Sequence, residues 1–242
     1  MLFKNVCVCV LACLYALTGC YSPAETAPET AVMQSNPENN PEPLSEAHKI
    51  AKTEALMRQA TCRIYVNSRF SGTGSLLRND IVITCAHLFE GVAVSSIEVF
   101  FVASPEHPTP ADNPEQKIPA NLILLNEGID LAILAINETN RTPVKLAKDC
   151  KKVQKIMAPS FKHGQELILP VAEIVDVTEE GLIYNASAGG GSSGGPIVNL
   201  DGELVGICKG AIEGGNKIMT ANYKSIREWL GEIDALFEEI LK

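Results

Sequence analysis

Gly189-Gly190-Gly191-Ser192-Ser193-Gly194-Gly195-Pro196 runs directly into the apolar stretch Ile197-Val198. Glycines in such density allow a bend whose backbone N–H groups converge on one point. Fixed donors aimed at a single point are what a developing oxyanion needs. Ser193 sits in the middle of the bend. A serine there can attack a carbonyl carbon only if a base takes its proton.

The base must come from elsewhere in the chain, which has four histidines. His48 lies in a Lys/Glu/Ala-rich segment, His107 among prolines and His163 in a Lys/Gly-flanked turn. Only His87 closes an apolar, strand-like stretch, Ile81-Val82-Ile83-Thr84-Cys85-Ala86. An imidazole acting as base needs a third group to orient it. Asp130 precedes the apolar run Leu131-Ala132-Ile133-Leu134. A carboxylate set against a core strand is costly unless it is paired.

Three motifs now stand in the order His, Asp, Ser: Thr84-Cys85-Ala86-His87, Asp130-Leu131-Ala132-Ile133-Leu134 and Gly191-Ser192-Ser193-Gly194-Gly195-Pro196. Together they resemble the three motifs of trypsin-like (chymotrypsin-fold) serine proteases. The last, with the following Ile-Val-Asn-Leu-Asp-Gly-Glu-Leu-Val-Gly-Ile, is most similar to bacterial HtrA-type proteases. The motif order is also that of the chymotrypsin template. The resemblance spans residues 62–230. It implies an all-β fold of two six-stranded antiparallel β-barrels with the site between them and a C-terminal α-helix. It also implies roles. Ser193 is the nucleophile, His87 the general base and then acid, and Asp130 the group that orients His87. The N–H groups of Gly191 and Ser193 form the oxyanion hole. No cofactor or metal is required.

The rest of the chain has the matching texture. Short apolar runs such as CRIYV, GSLLR, DIVITC, SIEVFFV, ANLILL, LAILAI, PIVNL and ELVGIC alternate with turn residues. Their spacing of roughly ten residues is the signature of a sandwich or barrel. Residues 61–140 and 150–221 are expected to form the two barrels. EAHKIAKTEALMRQA, residues 46–60, lacks Gly and Pro and reads as a leader helix. In residues 223–241, Ile226, Trp229, Leu230, Ile233, Phe237 and Ile240 recur at three- and four-residue intervals, giving a helix with one apolar face. The Pro-rich residues 104–116 are expected to form an exposed loop.

The N-terminus has a different character. Lys4 is followed by an apolar run from Val6 to Leu17 and then Thr18-Gly19-Cys20. The run is too short to span a bilayer and ends in small residues, as a secretory signal does. Leu17-Thr18-Gly19-Cys20 resembles a bacterial lipobox. That implies cleavage after residue 19, lipidation of Cys20 and an exported protein held on a membrane by its acyl chains, with a periplasmic or outer-membrane face expected. The Pro-rich residues 20–45 read as a disordered tether, which leaves residues 46–242 for the protease domain. Cys62, Cys85, Cys150 and Cys208 are then the unlipidated cysteines of the mature chain. They allow three full pairings or free buried thiols, and their spacings match no zinc motif.

Composition sets limits on partners. The 242 residues carry 20 Lys+Arg against 29 Asp+Glu, a formal charge of −9. That balance argues against binding nucleic-acid backbones. The expected partners are protein or peptide substrates and, through lipid, a membrane. A PDZ domain, common after the protease in HtrA proteins, is not expected after residue 242.

Three departures from the family pattern bear on activity. Cys85 stands where the family usually has Ala. Lys209 lies on the strand expected to line the cleft, where a small Ser or Thr is usual. Its ammonium could oppose protonation of His87. Ser187, six residues before the nucleophile, replaces the Asp of trypsins, so a basic residue before the scissile bond would lack an ion-pair partner. A small or medium apolar residue is expected there. Ser187, Lys209 and Ala211 are the expected pocket residues. The expected function is serine endopeptidase action on exported or misfolded proteins. The alternative is a weak or inactive trypsin-fold lipoprotein that binds a protein partner through its cleft.

Overall fold

In the computed structural model, residues 44–102, 117–178, 181–186, 189–211 and 217–240 are described, those at 217–220 and 233–240 by backbone alone. All lie in one unit, Pro43–Lys242. The signal, Cys20, the tether up to residue 43, the Pro-rich loop and Ser187 fall outside the described residues.

Helix α1, Glu46–Ala60, opens on Ser45, whose hydroxyl accepts the amide proton of His48. This N-cap satisfies a donor that the first turn cannot. The helix buries Thr53, Met57 and Ala60. It leads without a break into β1, Thr61–Val66, the first strand of a barrel that includes β2, Arg69–Arg78, and β3, Ile81–Thr84. The other three are β4, Ile97–Phe101, β5, Lys117–Asn126, and β6, Leu131–Ile136. The six close in the order β1-β2-β3-β6-β5-β4, all antiparallel. Closure removes the unpaired edges an open sheet would expose. Ile64, Leu76, Val82, Ile83, Leu131 and Leu134 are all fully buried, and since successive side chains such as Val82 and Ile83 point to opposite faces, β3 is covered on both.

The second half pairs six antiparallel strands in a ring and adds to them a seventh strand beyond the six expected. It is a seven-stranded sheet built from β7, Lys145–Leu146, β8, Lys155–Met157, and β9, Val171–Val177, with β10, Leu182–Asn185. Its other strands are β11, Pro196–Asn199, β12, Glu203–Ala211, and β13, Lys217–Asn222. Their order is β11-β8-β9-β10-β13-β12-β7, and β11 also pairs with β12. The seventh strand is the two-residue β7, which arrives from the first barrel and adds to β12 in parallel. A run of two residues between turns gives no periodicity to read. Ile156, Ile174, Leu182, Tyr184, Ile197 and Val205 pack inside this half.

Helix α2, Tyr223–Ile240, follows β13 directly. The Asn222 side chain accepts amide protons from Lys224 and Ser225 at its start, and Ile226 and Trp229 are buried. No described helix is long and apolar enough to cross a membrane.

Several contacts tie the two halves together. The Thr53 hydroxyl of α1 donates to the Leu200 carbonyl. Arg63 of β1 donates to the Gln165 carbonyl, and its guanidinium lies 4.7 Å from the Phe161 ring centre and 5.4 Å from that of Phe100. A planar cation can be buried in this way because the ring faces partly replace water.

Candidate active site

His87 lies in a 3₁₀ turn, Ala86–Phe89, reached through Cys85 at the end of β3. Asp130 lies across from it, one residue before β6. β3 and β6 are paired, with Thr84 opposite Ala132, so the barrel itself brings the two side chains together. Asp130 has φ 57°, a left-handed conformation that Asp tolerates better than most residues. One of its oxygens accepts the backbone amide of His87 at 2.9 Å. The same carboxylate spans His87 Nδ1, at 2.9 and 3.1 Å. Both backbone and ring of His87 are thereby fixed by one side chain. Nδ1 carries the hydrogen and Nε2 is left free to act as base.

The electrostatics follow from that contact. The hydrogen bond to Asp130 raises the His87 pKa above its ordinary 6.5, burial opposes this, and the charges of Asp130 and Glu90 add to the rise. Lys209 works against it, as its charge on the cleft strand suggested. Burial is the largest single influence on Asp130 and pushes its pKa up. The ring and amide hydrogen bonds from His87, with the charges of His87 and Lys209, outweigh it and hold the carboxyl below its ordinary value.

Ser193 lies in the glycine-rich bend, which turns at Gly191 with φ 90° and Gly194 with φ 83°. A β-carbon on Gly194 would sit 2.0 Å from the Thr73 carbonyl oxygen, so only glycine fits. Around the bend, the carbonyl of Gly190 accepts from the His163 amide, that of Gly191 from the Thr73 hydroxyl and that of Ser193 from the Thr73 amide. With these carbonyls held, the amides of Gly191 and Ser193 have no hydrogen-bond partner among the described residues. They are the two amides expected to form the oxyanion hole.

The expected contact of about 2.6–3.2 Å between Ser193 and His87 is not formed. The Ser193 hydroxyl donates instead to the carbonyl of Lys209, at 3.3 Å. The accepting carbonyl lies at an irregularity of β12. Its pairing with β13 slips between Cys208 and Gly210, which sets Lys209 in a bulge. Such bulges re-aim backbone groups beside active sites. Lys209 is half-buried and Ala211 is exposed at the end of the strand.

Thr73 was not legible as a site residue. It is fully buried on β2, its hydroxyl also accepts the Phe161 amide, and its carbonyl accepts the Thr84 hydroxyl. The only sequence signal was a hydroxyl between two glycines, Gly72-Thr73-Gly74, in a strand that also holds Ser71 and Ser75. Equally unforeseen is a cavity of about 250 Å³ beside His87 and Asp130, walled by Phe89, Glu90, Leu125 and Glu127. Cys62, Cys85, Cys150 and Cys208 are free, so none of the three pairings among them occurs.

The closed barrel, the second sheet and the C-terminal helix are consistent with a trypsin-like fold. A profile of the trypsin-like peptidase domain matches residues 72–207, and the chain belongs to that family. No curated protein sequence matches the chain. Among solved structures it is similar to the active form of the Rv3671c protease from M. tuberculosis, at 20% identity and TM-score 0.61, covering 88% of this chain and 93% of that one. The serine endoprotease from Yersinia pestis is similar at 21% identity and TM-score 0.61, covering 74% of this chain and 65% of that one. The HtrA-type protease AlgW, solved with a tripeptide, is similar at 19% identity and TM-score 0.62, covering 76% and 63% respectively. At these identities the likeness is one of fold.

Proposed function

We propose that this protein is a serine endopeptidase that cleaves exported or misfolded polypeptides while tethered to a membrane through lipid on Cys20. The observation that carries the proteolytic reading is the two-oxygen grip of Asp130 on His87, opposite a serine flanked by two free amides. Substrate entry requires the Ser193 hydroxyl to leave the Lys209 carbonyl for His87 Nε2. His87 then takes the hydroxyl proton as Oγ bonds to the scissile carbonyl carbon, and the oxyanion settles on the amides of Gly191 and Ser193. His87 returns the proton to the leaving amine. Water repeats the sequence and releases the acyl group. Asp130 holds the ring in its tautomer and stabilises the imidazolium without taking the proton.

The lipid tether is supported by the lipobox-like Leu17-Thr18-Gly19-Cys20 and the Pro-rich stretch after it. Metabolic labelling with a palmitate analogue, lost in Cys20→Ala, tests that part. Cleavage of unfolded casein by the wild type, abolished in Ser193→Ala, tests the endopeptidase.

The resting hydrogen bond from Ser193 to Lys209 favours a second reading, a cleft that binds a polypeptide with little turnover. It predicts that wild type and Ser193→Ala retain casein alike and that neither cuts it.

A further inference from the structure

Cys85 is a departure from the family pattern that the proteolytic mechanism does not use. Its sulfur is fully buried directly behind the His–Asp pair and donates to the Cys208 carbonyl at 3.1 Å. One donor atom each from Cys85, His87 and Asp130 lie within 4.8 Å of one another. We propose that these three side chains form an inhibitory site for a thiophilic divalent cation of the zinc class, an inference that rests on His87 being the catalytic base.

The donor set is one sulfur, one imidazole nitrogen and one carboxylate. That combination selects zinc and its heavier congener cadmium over magnesium or calcium, which prefer oxygen alone. Zinc bonds of about 2.0–2.3 Å hold tetrahedral donors a little closer together than the three atoms stand here. Small rotations of the His87 and Asp130 side chains, which are 36% and 17% exposed, close that gap. Three protein ligands leave a fourth position for water.

The cavity of about 250 Å³ opens against His87 and Asp130, and the exposed carboxylates of Glu90 and Glu127 stand on its wall. A cation arriving there meets His87 and Asp130 first, and the buried Cys85 sulfur is reached as their side chains turn. Negative groups lining a cleft raise the local concentration of cations. Lys209 opposes positive charge here, as its influence on His87 shows. A thiolate and a carboxylate together cancel the charge of a dication, so the loaded site is neutral where the empty site carries the single negative charge of Asp130.

Loading is a ligand exchange without electron transfer. The Cys85 thiol gives its proton to solvent as the sulfur–metal bond forms; the His87 ring stays neutral by exchanging its Nδ1 hydrogen for one on Nε2 through solvent as the nitrogen–metal bond forms. The Nδ1–H···Asp130 hydrogen bond is lost in the same step. The ring is then held by the metal rather than by Asp130 and can no longer be oriented to accept the Ser193 proton. Binding and catalysis are mutually exclusive because they use the same nitrogen.

The test titrates the full chain with cadmium chloride and zinc chloride and takes two readouts. Ultraviolet thiolate-to-cadmium absorption reports binding. Labelling by a fluorophosphonate reports the serine, each protein being compared with its own metal-free rate. The expected result is a cadmium band in the wild type that is lost in Cys85→Ala and in Cys85→Ser, both verified as folded by near-ultraviolet circular dichroism. Zinc is expected to suppress wild-type labelling, and a chelator to restore it. Either substitution should raise the zinc concentration needed by at least about tenfold, the scale of removing a metal-site contact. An equal band and equal zinc sensitivity in wild type and both variants would overturn the site. If the wild type takes no label even without metal, the protease reading has failed, and the cadmium band alone decides the metal site.

Discussion

Thr73, on the first barrel, donates its hydroxyl proton to the carbonyl oxygen of Gly191 in the second half at 2.7 Å. Its own amide holds the Ser193 carbonyl at 2.8 Å. One residue of β2 thus sets two peptide units of the nucleophile bend. The Gly191 and Ser193 N–H groups belong to the preceding peptide units, whose carbonyls, Gly190 and Ser192, accept the amides of His163 and Gly195. Thr73 holds the units that follow each of them, so every carbonyl from Gly190 to Ser193 is tied down around the amides that must meet the oxyanion. Thr73 is a positioning residue, since it touches no reacting atom.

Removing that hydroxyl should loosen the oxyanion hole without altering substrate contacts. Thr73→Val is expected to lower kcat by about 10–100-fold, less than the loss of an oxyanion donor itself. KM should stay nearly constant and Thr73→Ser should restore kcat. Steady-state kinetics on a peptide substrate check this. A fall in thermal stability with kcat unchanged in Thr73→Val would mean that the residue serves only packing.

Asp130 grips both the amide and the ring of His87. Asp130→Asn keeps the shape but cannot hold the same tautomer. By analogy with the Ser-His-Asp template, kcat should fall by about 10⁴-fold. The fold should persist, as circular dichroism would show. A loss of less than about tenfold would count against the assigned role.

His87 must be neutral to act as base, and its pKa is raised above 6.5, chiefly by the hydrogen bond to Asp130. The proton is therefore retained to higher pH than in a free histidine. kcat/KM should rise with pH through an inflection above 6.5. Lys209 lowers that pKa by its charge. Lys209→Thr should consequently move the inflection upward, to more alkaline pH. A downward shift or none in a pH–rate profile would contradict this placement of the ammonium.

Gly194 adopts φ 83°, and any β-carbon there would lie 2.0 Å from the Thr73 oxygen and 2.1 Å from the Thr84 hydroxyl. Both neighbours are buried, so neither can move aside cheaply. Gly194→Ala should cost about 4 kcal/mol or more, combining backbone strain with a core clash. Denaturant unfolding of the variant gives the figure.

The pairing of His87 with Asp130 was legible from a histidine ending an apolar strand and an acid against a core run. Ser193 stood out as a serine among glycines, but its expected contact with His87 is not formed, the hydroxyl lying on the Lys209 carbonyl instead. The barrel was legible from spacing, but β7, two residues long, carries no period and its parallel pairing was not. The bulge at Lys209 depends on a register slip against β13, a relation between strands that no single stretch encodes. Thr73 was hidden for a similar reason, since its partners Gly191 and Phe161 lie far along the chain. The cysteine behind His87 was visible as a departure, while its nearness to both dyad members emerged only with the fold.

The central claim is that Ser193 is a nucleophile activated by His87. Intact-mass analysis after fluorophosphonate treatment tests it most directly. The account predicts one covalent adduct on folded wild type, mapped to Ser193, absent in Ser193→Ala and strongly slowed in His87→Ala. No adduct on the folded wild type, or an adduct that forms equally fast without His87, would contradict it.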